Sequence, residues 1–284
     1  MGHGIAQVAA QSGLAVTLVD VAPAALEAGA LRVERGLDRL VEKGKLDPDA
    51  RSRALDNLQT SADLHAIQNA DLVVEAVVEK LEVKSSLFSE LDRVCSDQTI
   101  LASNTSSISI TKLASVTQRP GKVIGMHFMN PVPIMKLVEI IRGLATTQET
   151  FEVVEETTRR LGKTPVEVHD APGFVSNRVL LPMINEAIFC LSEGVGTAEA
   201  IDDVMRLGMN HPMGPLALAD LIGLDVCLDI LGVLYEGFND PKYRPCPLLR
   251  KLVDAGYLGR KAGRGFFTYD SETTESFHPT RGYR

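Results

Sequence analysis

At Asp170-Ala171-Pro172-Gly173 the hydrophobic pattern of the chain changes kind. Before it, short β-prone runs (15–19, 71–77, 99–103, 123–128, 137–141 and 166–168) alternate with helical periodicities (1–13, 23–43, from Pro48, 79–94 and 148–161). After it the patterns are helical only: 172–193, which must tolerate Pro182, then 197–207, 215–238, and a further helix opened by Pro245-Cys246-Pro247. Alternating strands and helices stack helices on both faces of a mainly parallel sheet, whereas helices without strands need one another. Proline and glycine at the change mark a hinge. The expectation is therefore a doubly wound α/β domain over 1–171 and an all-α domain over 172–284. The 215–238 stretch is apolar on several sides, so the helical domain is expected to meet a second copy of itself as a homodimer.

The beginning of the chain narrows the first domain. Met1-Gly2-His3-Gly4 opens a helix with small residues along one side and Gly13 as its stop, followed by the run Ala15-Val16-Thr17-Leu18-Val19 and an acid, Asp20. Glycine-rich helix start, helix, strand and terminal acid are the second part of a Rossmann-type dinucleotide-binding unit. The strand and the glycines that should precede it are not in the chain, and Gly2 alone can belong to the motif. The sequence thus leads us to expect a chain shortened at its amino end or a start assigned to an internal methionine, with cofactor affinity the property most exposed to that loss. An ordinary N-terminal helix with glycines by chance is the alternative for so short a fragment.

Composition excludes several classes of function. A formal charge of -8 on 284 residues speaks against nucleic acid as the main partner, because phosphate binding needs a basic face. Cys95, Cys190, Cys227 and Cys246 are widely spaced, without metal-ligand spacing, and are expected as reduced thiols with no metal site. Apolar stretches are broken by charges before membrane-spanning length, and no basic leader precedes one, so a cytoplasmic protein without membrane contact is expected. The tail after Tyr269 is polar and aperiodic, expected to be loosely held, and its end, Arg281-Gly282-Tyr283-Arg284, is not a peroxisomal address of the S-K-L type.

Two places carry candidate chemistry. His127 ends an apolar run, an Asn130-Pro131 turn follows, and Glu139 lies on the next apolar run. Two short strands could hold these as an acid/base pair, the carboxylate fixing the imidazole tautomer. A half-buried histidine satisfied by a backbone carbonyl fits the same residues. Asn104-Thr105-Ser106-Ser107 follows the 99–103 run; its small polar side chains can bind a ligand, and Ser107 or Ser109 can equally cap a helix.

Motifs at several separated places decide between these readings. DLVVEAVVEKLEVK (71–84), LASNTSS (101–107), GMHFMNPVPIMKLVE (125–139), PGFVSNR (172–178), HPMGP (211–215) and GRKAGRGFF (259–267) occur in the order found in the short-chain 3-hydroxyacyl-CoA dehydrogenases, which the chain resembles over nearly its whole length. The resemblance implies NAD-dependent oxidation of an acyl-CoA 3-hydroxyl, with His127 as catalytic base and Glu139 as the carboxylate that orients it. It implies that Ser106 and Asn177, one from each domain, hold the substrate's 3-oxygen and thioester region. For the cofactor it implies Gly2 at the helix start, Asp20 on the adenosine ribose, Glu79, Lys84 and Asn130 around the nicotinamide half, and Lys261 near the cofactor. A carboxylate at Asp20 repels a 2′-phosphate and no arginine follows closely, which favours NAD over NADP. Glu79 with Lys84 could instead be a helix-surface pair, and Asn130 a turn residue. A related dehydrogenase of a free hydroxy or sugar acid, or a cofactor-impaired relative that keeps only the scaffold, would share the fold; the intact His127, Glu139, Ser106 and Asn177 argue against the latter.

Overall fold

The computed structural model describes residues 1–269; the polar tail and the Arg281-Gly282-Tyr283-Arg284 end lie outside the described residues. The chain forms two compact units, Met1–Ala171 and Pro172–Arg284.

In the first unit, α1 (Gly2–Gln11) leads through Gly13, at φ 76°, into β1 (Val16–Val19), α2 (Pro23–Glu42) and α3 (Pro48–Asp56). Then follow β2 (Leu58–Ser61), β3 (Leu72–Glu75), α4 (Leu81–Val94), β4 (Ile100–Ser103) and α5 (Ile110–Ala114). β5 (Val123–Phe128), β6 (Leu137–Arg142), α6 (Gln148–Arg160) and β7 (Thr164–His169) complete it. β1 and β2 form a parallel pair, and β3-β4-β5-β6-β7 form a sheet in that order. Within it β5 and β6 alone run antiparallel. A parallel return would need a crossover helix, for which the short connection after Phe128 has no room. Ile124, Met126, Phe128, Val138 and Ile140 from this hairpin join Ile5 and Val8 of α1 and Phe151 and Val154 of α6 in one buried core. α1 comes close because its small residues allow it: a Cβ on Gly4 would stand 3.0 Å from the Val132 Cβ.

β2 was not expected. Leu58-Gln59-Thr60-Ser61 has no apolar run, and it is strand because it pairs with β1. β1 and β3 each have one strand neighbour among the described residues.

The second unit is helical: α7 (Ser176–Ser192), α8 (Ala198–Asp203), α9 (Pro215–Ile222), α10 (Leu224–Phe238) and α11 (Pro247–Asp254). Three expected boundaries move. α7 begins at Ser176 rather than at Pro172, because Gly173 (φ 71°) and Phe174 (φ 51°) take left-handed backbone before it. The 197–207 pattern becomes α8 followed by a wide turn over Val204–Gly208. The expected continuous helix over 215–238 is two helices, broken at Gly223, whose φ of 106° a side chain would strain. Asp220, 1% exposed near that break, accepts the N–H groups of Phe266 and Phe267 (3.0 and 2.9 Å) and the Tyr269 hydroxyl, and so fastens the segment after α11. Among the described residues no helix is long and apolar enough to cross a membrane. The four cysteines are free thiols.

Candidate active site

His127 and Glu139 are register partners across the β5–β6 hairpin. Residues directly opposite in an antiparallel pair point to the same face, so this pairing brings imidazole and carboxylate together. The His127 Nδ1 lies 2.8 Å from a Glu139 carboxylate oxygen, with the residues 8% and 2% exposed. A carboxylate at Nδ1 selects the tautomer protonated there, so Nε2 is the nitrogen able to accept a proton, and the same carboxylate stabilises the imidazolium formed. The partner of the histidine is thus a carboxylate.

The ends of β3 and β4 carry a second constellation. Lys84, in the first turn of α4 and 1% exposed, donates to the Glu75 carboxylate at 2.7 Å and lies 3.2 Å from Glu79. Ser103 and the Val77 N–H also donate to Glu75, both at 2.6 Å. Glu79 accepts from the Thr105 hydroxyl, from the Ser106 N–H at 2.8 Å and hydroxyl at 3.2 Å, and from the Ser107 N–H at 3.1 Å. Lys84 is therefore no helix-surface residue. A cation buried at a helix N-terminus opposes the helix dipole, and Glu75 offsets that cost. Glu75 was missed in the sequence, although a charge inside the β-prone 71–77 run was the available signal. Ser109, not Ser107, caps α5.

Burial raises the Glu79 pKa, but the Thr105 hydroxyl, the Lys84 charge and the Ser106 N–H outweigh it and hold the carboxyl below its ordinary value. With the folded pKa below the unfolded one, the stabilisation is complete above the unfolded value of about 4.3 and disappears as pH falls through the folded value. Glu79→Gln should accordingly be less stable than the parent at pH 7. The difference should close as pH is lowered past 4, read as urea midpoints; a difference independent of pH would refute this account.

Two of the residues expected at a dinucleotide, Gly2 and Asp20, lie at the start of α1 and just after β1. A Cβ on Gly2 would be 3.8 Å from the Ala76 Cβ and 4.0 Å from Leu18, so α1 starts beside the ends of β1 and β3. Among the described residues no side chain caps α1, and its first turn holds no acid, which leaves its N–H groups and positive dipole end suited to an anion. Asp20 directly follows β1, is exposed, and accepts the Ala22 N–H at 2.9 Å. An uncapped helix start and an exposed carboxylate just after the neighbouring strand are features that could receive a dinucleotide's phosphate and ribose. Asn130 is exposed at the start of the β5–β6 connection, before a cis bond to Pro131, and Lys163 steadies that connection by donating to the carbonyls of Val132 and Met135. In the second unit Asn177 lies in the first turn of α7, and the exposed Lys261 pairs with Asp225 at 2.5 Å. The structure brings together His127 with Glu139, and Glu79 with Lys84 and Ser106. It describes Asn177 and Lys261 within their own unit.

Comparison with known proteins shows the family. The family model described as 3-hydroxyacyl-CoA dehydrogenase, NAD binding domain, matches residues 1–171, and that described as 3-hydroxyacyl-CoA dehydrogenase, C-terminal domain, matches residues 173–269. A probable 3-hydroxybutyryl-CoA dehydrogenase of Bacillus subtilis is 58% identical over 274 residues, covering 96% of each chain. One from Deinococcus radiodurans is 56% identical over 95% of this chain and 96% of its own. The crystal structure of the (S)-3-hydroxybutyryl-CoA dehydrogenase of Ralstonia eutropha superposes with a TM-score of 0.93 at 50% identity, covering 95% of this chain and 96% of that one. With a Rossmann-type first unit, a helical second unit and these relatives, the chain belongs to the 3-hydroxyacyl-CoA dehydrogenase family, as an NAD-dependent dehydrogenase.

Proposed function

We propose that the protein interconverts (S)-3-hydroxybutyryl-CoA and acetoacetyl-CoA with NAD, within fatty-acid or butanoate metabolism. The observation that carries this reading is the buried His127–Glu139 pair, 2.8 Å apart. NAD, when bound, supplies the acceptor for the hydride of C3. In oxidation His127 Nε2 takes the proton of the 3-hydroxyl, and in reduction it returns it; Glu139 balances the imidazolium in both directions. Ser106 and Asn177 are assigned to the substrate's 3-oxygen and thioester region. Gly2, Asp20, Glu79, Lys84, Asn130 and Lys261 are assigned to the cofactor, with Asp20 disfavouring a 2′-phosphate. The unit 1–171 is the cofactor domain and 172–284 the substrate and dimerisation domain. Exposed Val179, Val195, Leu207 and Met209 on the helical unit support a homodimer through its helices, because isolated apolar side chains are ordinary and a set on one helical unit is better covered. The protein acts in the cytoplasm, away from nucleic acid and membrane.

Steady-state turnover tests the substrate class. NADH-dependent reduction of acetoacetyl-CoA should exceed, in kcat/KM, the turnover of free hydroxy and sugar acids by on the order of a thousandfold or more, since the binding energy of the CoA portion is otherwise lost. Comparable turnover of a free hydroxy acid would reassign the substrate.

A further inference from the structure

The parallel ladder between β4 and β5 pairs Leu101 with Val123, Ala102 with Ile124 and Ser103 with Gly125, and ends there, before His127. On the opposite edge β6 follows β5 to its end, pairing His127 with Glu139 and Phe128 with Val138. The stretch that carries the imidazole is thus held by strand pairing on one edge only. On the other edge a side chain takes over. Asn104 Oδ1 accepts the N–H of Phe128 at 2.9 Å, while the Asn104 N–H donates to the Glu75 carbonyl at 2.8 Å. One residue ties the ends of β3, β4 and β5.

The Phe128 N–H lies in the peptide plane that begins at the His127 carbonyl. Holding that plane sets the ψ angle of His127, and so the direction from which its side chain leaves the strand. An N–H donor requires an oxygen acceptor, so this contact also fixes which way round the carboxamide sits. We infer that Asn104 is a positioning residue for the proton-transfer histidine, acting through the His127–Phe128 peptide and not by touching substrate. The inference rests on the reading of His127 as the base.

A double-mutant cycle on the full chain tests it, with acetoacetyl-CoA and NADH as substrates. Asn104→Ala should lower kcat roughly tenfold to a hundredfold, as small misplacements of a catalytic group do, and leave both KM values within about threefold. Asn104→Asp keeps an acceptor at the same place and should regain most of the lost kcat. In a His127→Gln background Asn104→Ala should cost less than about twofold, because the group being positioned is gone. A second readout needs no turnover: in cofactor-free protein with 15N-labelled histidine, the dominant Nδ1–H tautomer of His127 should become mixed in Asn104→Ala. An equal loss of kcat in both backgrounds, or Asn104→Asp no better than Asn104→Ala, would overturn the inference. If Asn104→Ala does not fold, the comparison of Asn104→Asp with the parent carries the test, and a hundredfold loss there would also overturn it. Full activity of His127→Gln alone would instead remove the base assignment, a separate outcome from failure of the coupling.

Discussion

His127→Gln should lower kcat by about a hundredfold to ten-thousandfold, the usual contribution of a positioned acid/base, with KM for acetoacetyl-CoA little changed. That loss corresponds to about 3 to 5 kcal/mol of transition-state stabilisation. Folding should survive, because glutamine is polar, of similar reach, and can still donate to the Glu139 carboxylate, which is 2% exposed and otherwise loses its imidazole partner. Circular dichroism and the thermal midpoint, measured beside NADH consumption, separate a lost base from a lost fold. Glu139→Gln should follow the same pattern with a smaller fall in kcat, since the imidazole remains and only its tautomer and charge balance suffer. Unchanged turnover in His127→Gln would remove the histidine from the mechanism.

The second large effect is on stability. Lys84→Met should cost about 3 to 5 kcal/mol, because it leaves the Glu75 carboxylate buried without its cation. The side chains of Lys84 and Glu75 are 1% and 0% exposed, so water cannot replace the missing charge. Removing both charges together is a different matter: Glu75→Gln with Lys84→Met should recover most of the loss, since a buried ion pair replaced as a unit is often close to neutral. Urea midpoints of the two single variants and the double variant measure this. A double variant as unstable as Lys84→Met would mean that packing of the lysine stem, rather than charge balance, sets the cost.

These residues show what the sequence made legible. The hairpin that joins His127 to Glu139 was readable because two apolar runs flank a proline turn, and alternation in a strand dictates which side chains share a face. The break of 215–238 was in principle readable at Gly223, a glycine inside an apolar helical pattern; its φ of 106° and the closeness of Asp225 and Lys261, which a Cβ there would meet, are announced by no local pattern. Glu79 and Lys84 were recognised only by resemblance. The burial of Lys84 and the hydrogen bonds of the more exposed Glu79 arise where the ends of β3 and β4 meet, and periodicity describes single elements, not meetings between them. For the same reason Asn104 read as one of several small polar residues, although its carboxamide reaches the backbone of Phe128, on another strand.

The antiparallel turn of β6 also bears on the order in which the site assembles. β1 reaches β2 only after the intervening helices α2 and α3, whereas His127 and Glu139 face each other across a single short connection. Closing a short loop costs less entropy than closing a long one, and local pairings form earlier in folding. The His127–Glu139 pair is therefore expected in a part of the sheet that pairs early. Pulse-labelled hydrogen exchange should find the amides of β5 and β6 protected before those of β1 and β2, so that a refolding chain joins His127 to Glu139 before it sets Asp20 at the end of a paired strand.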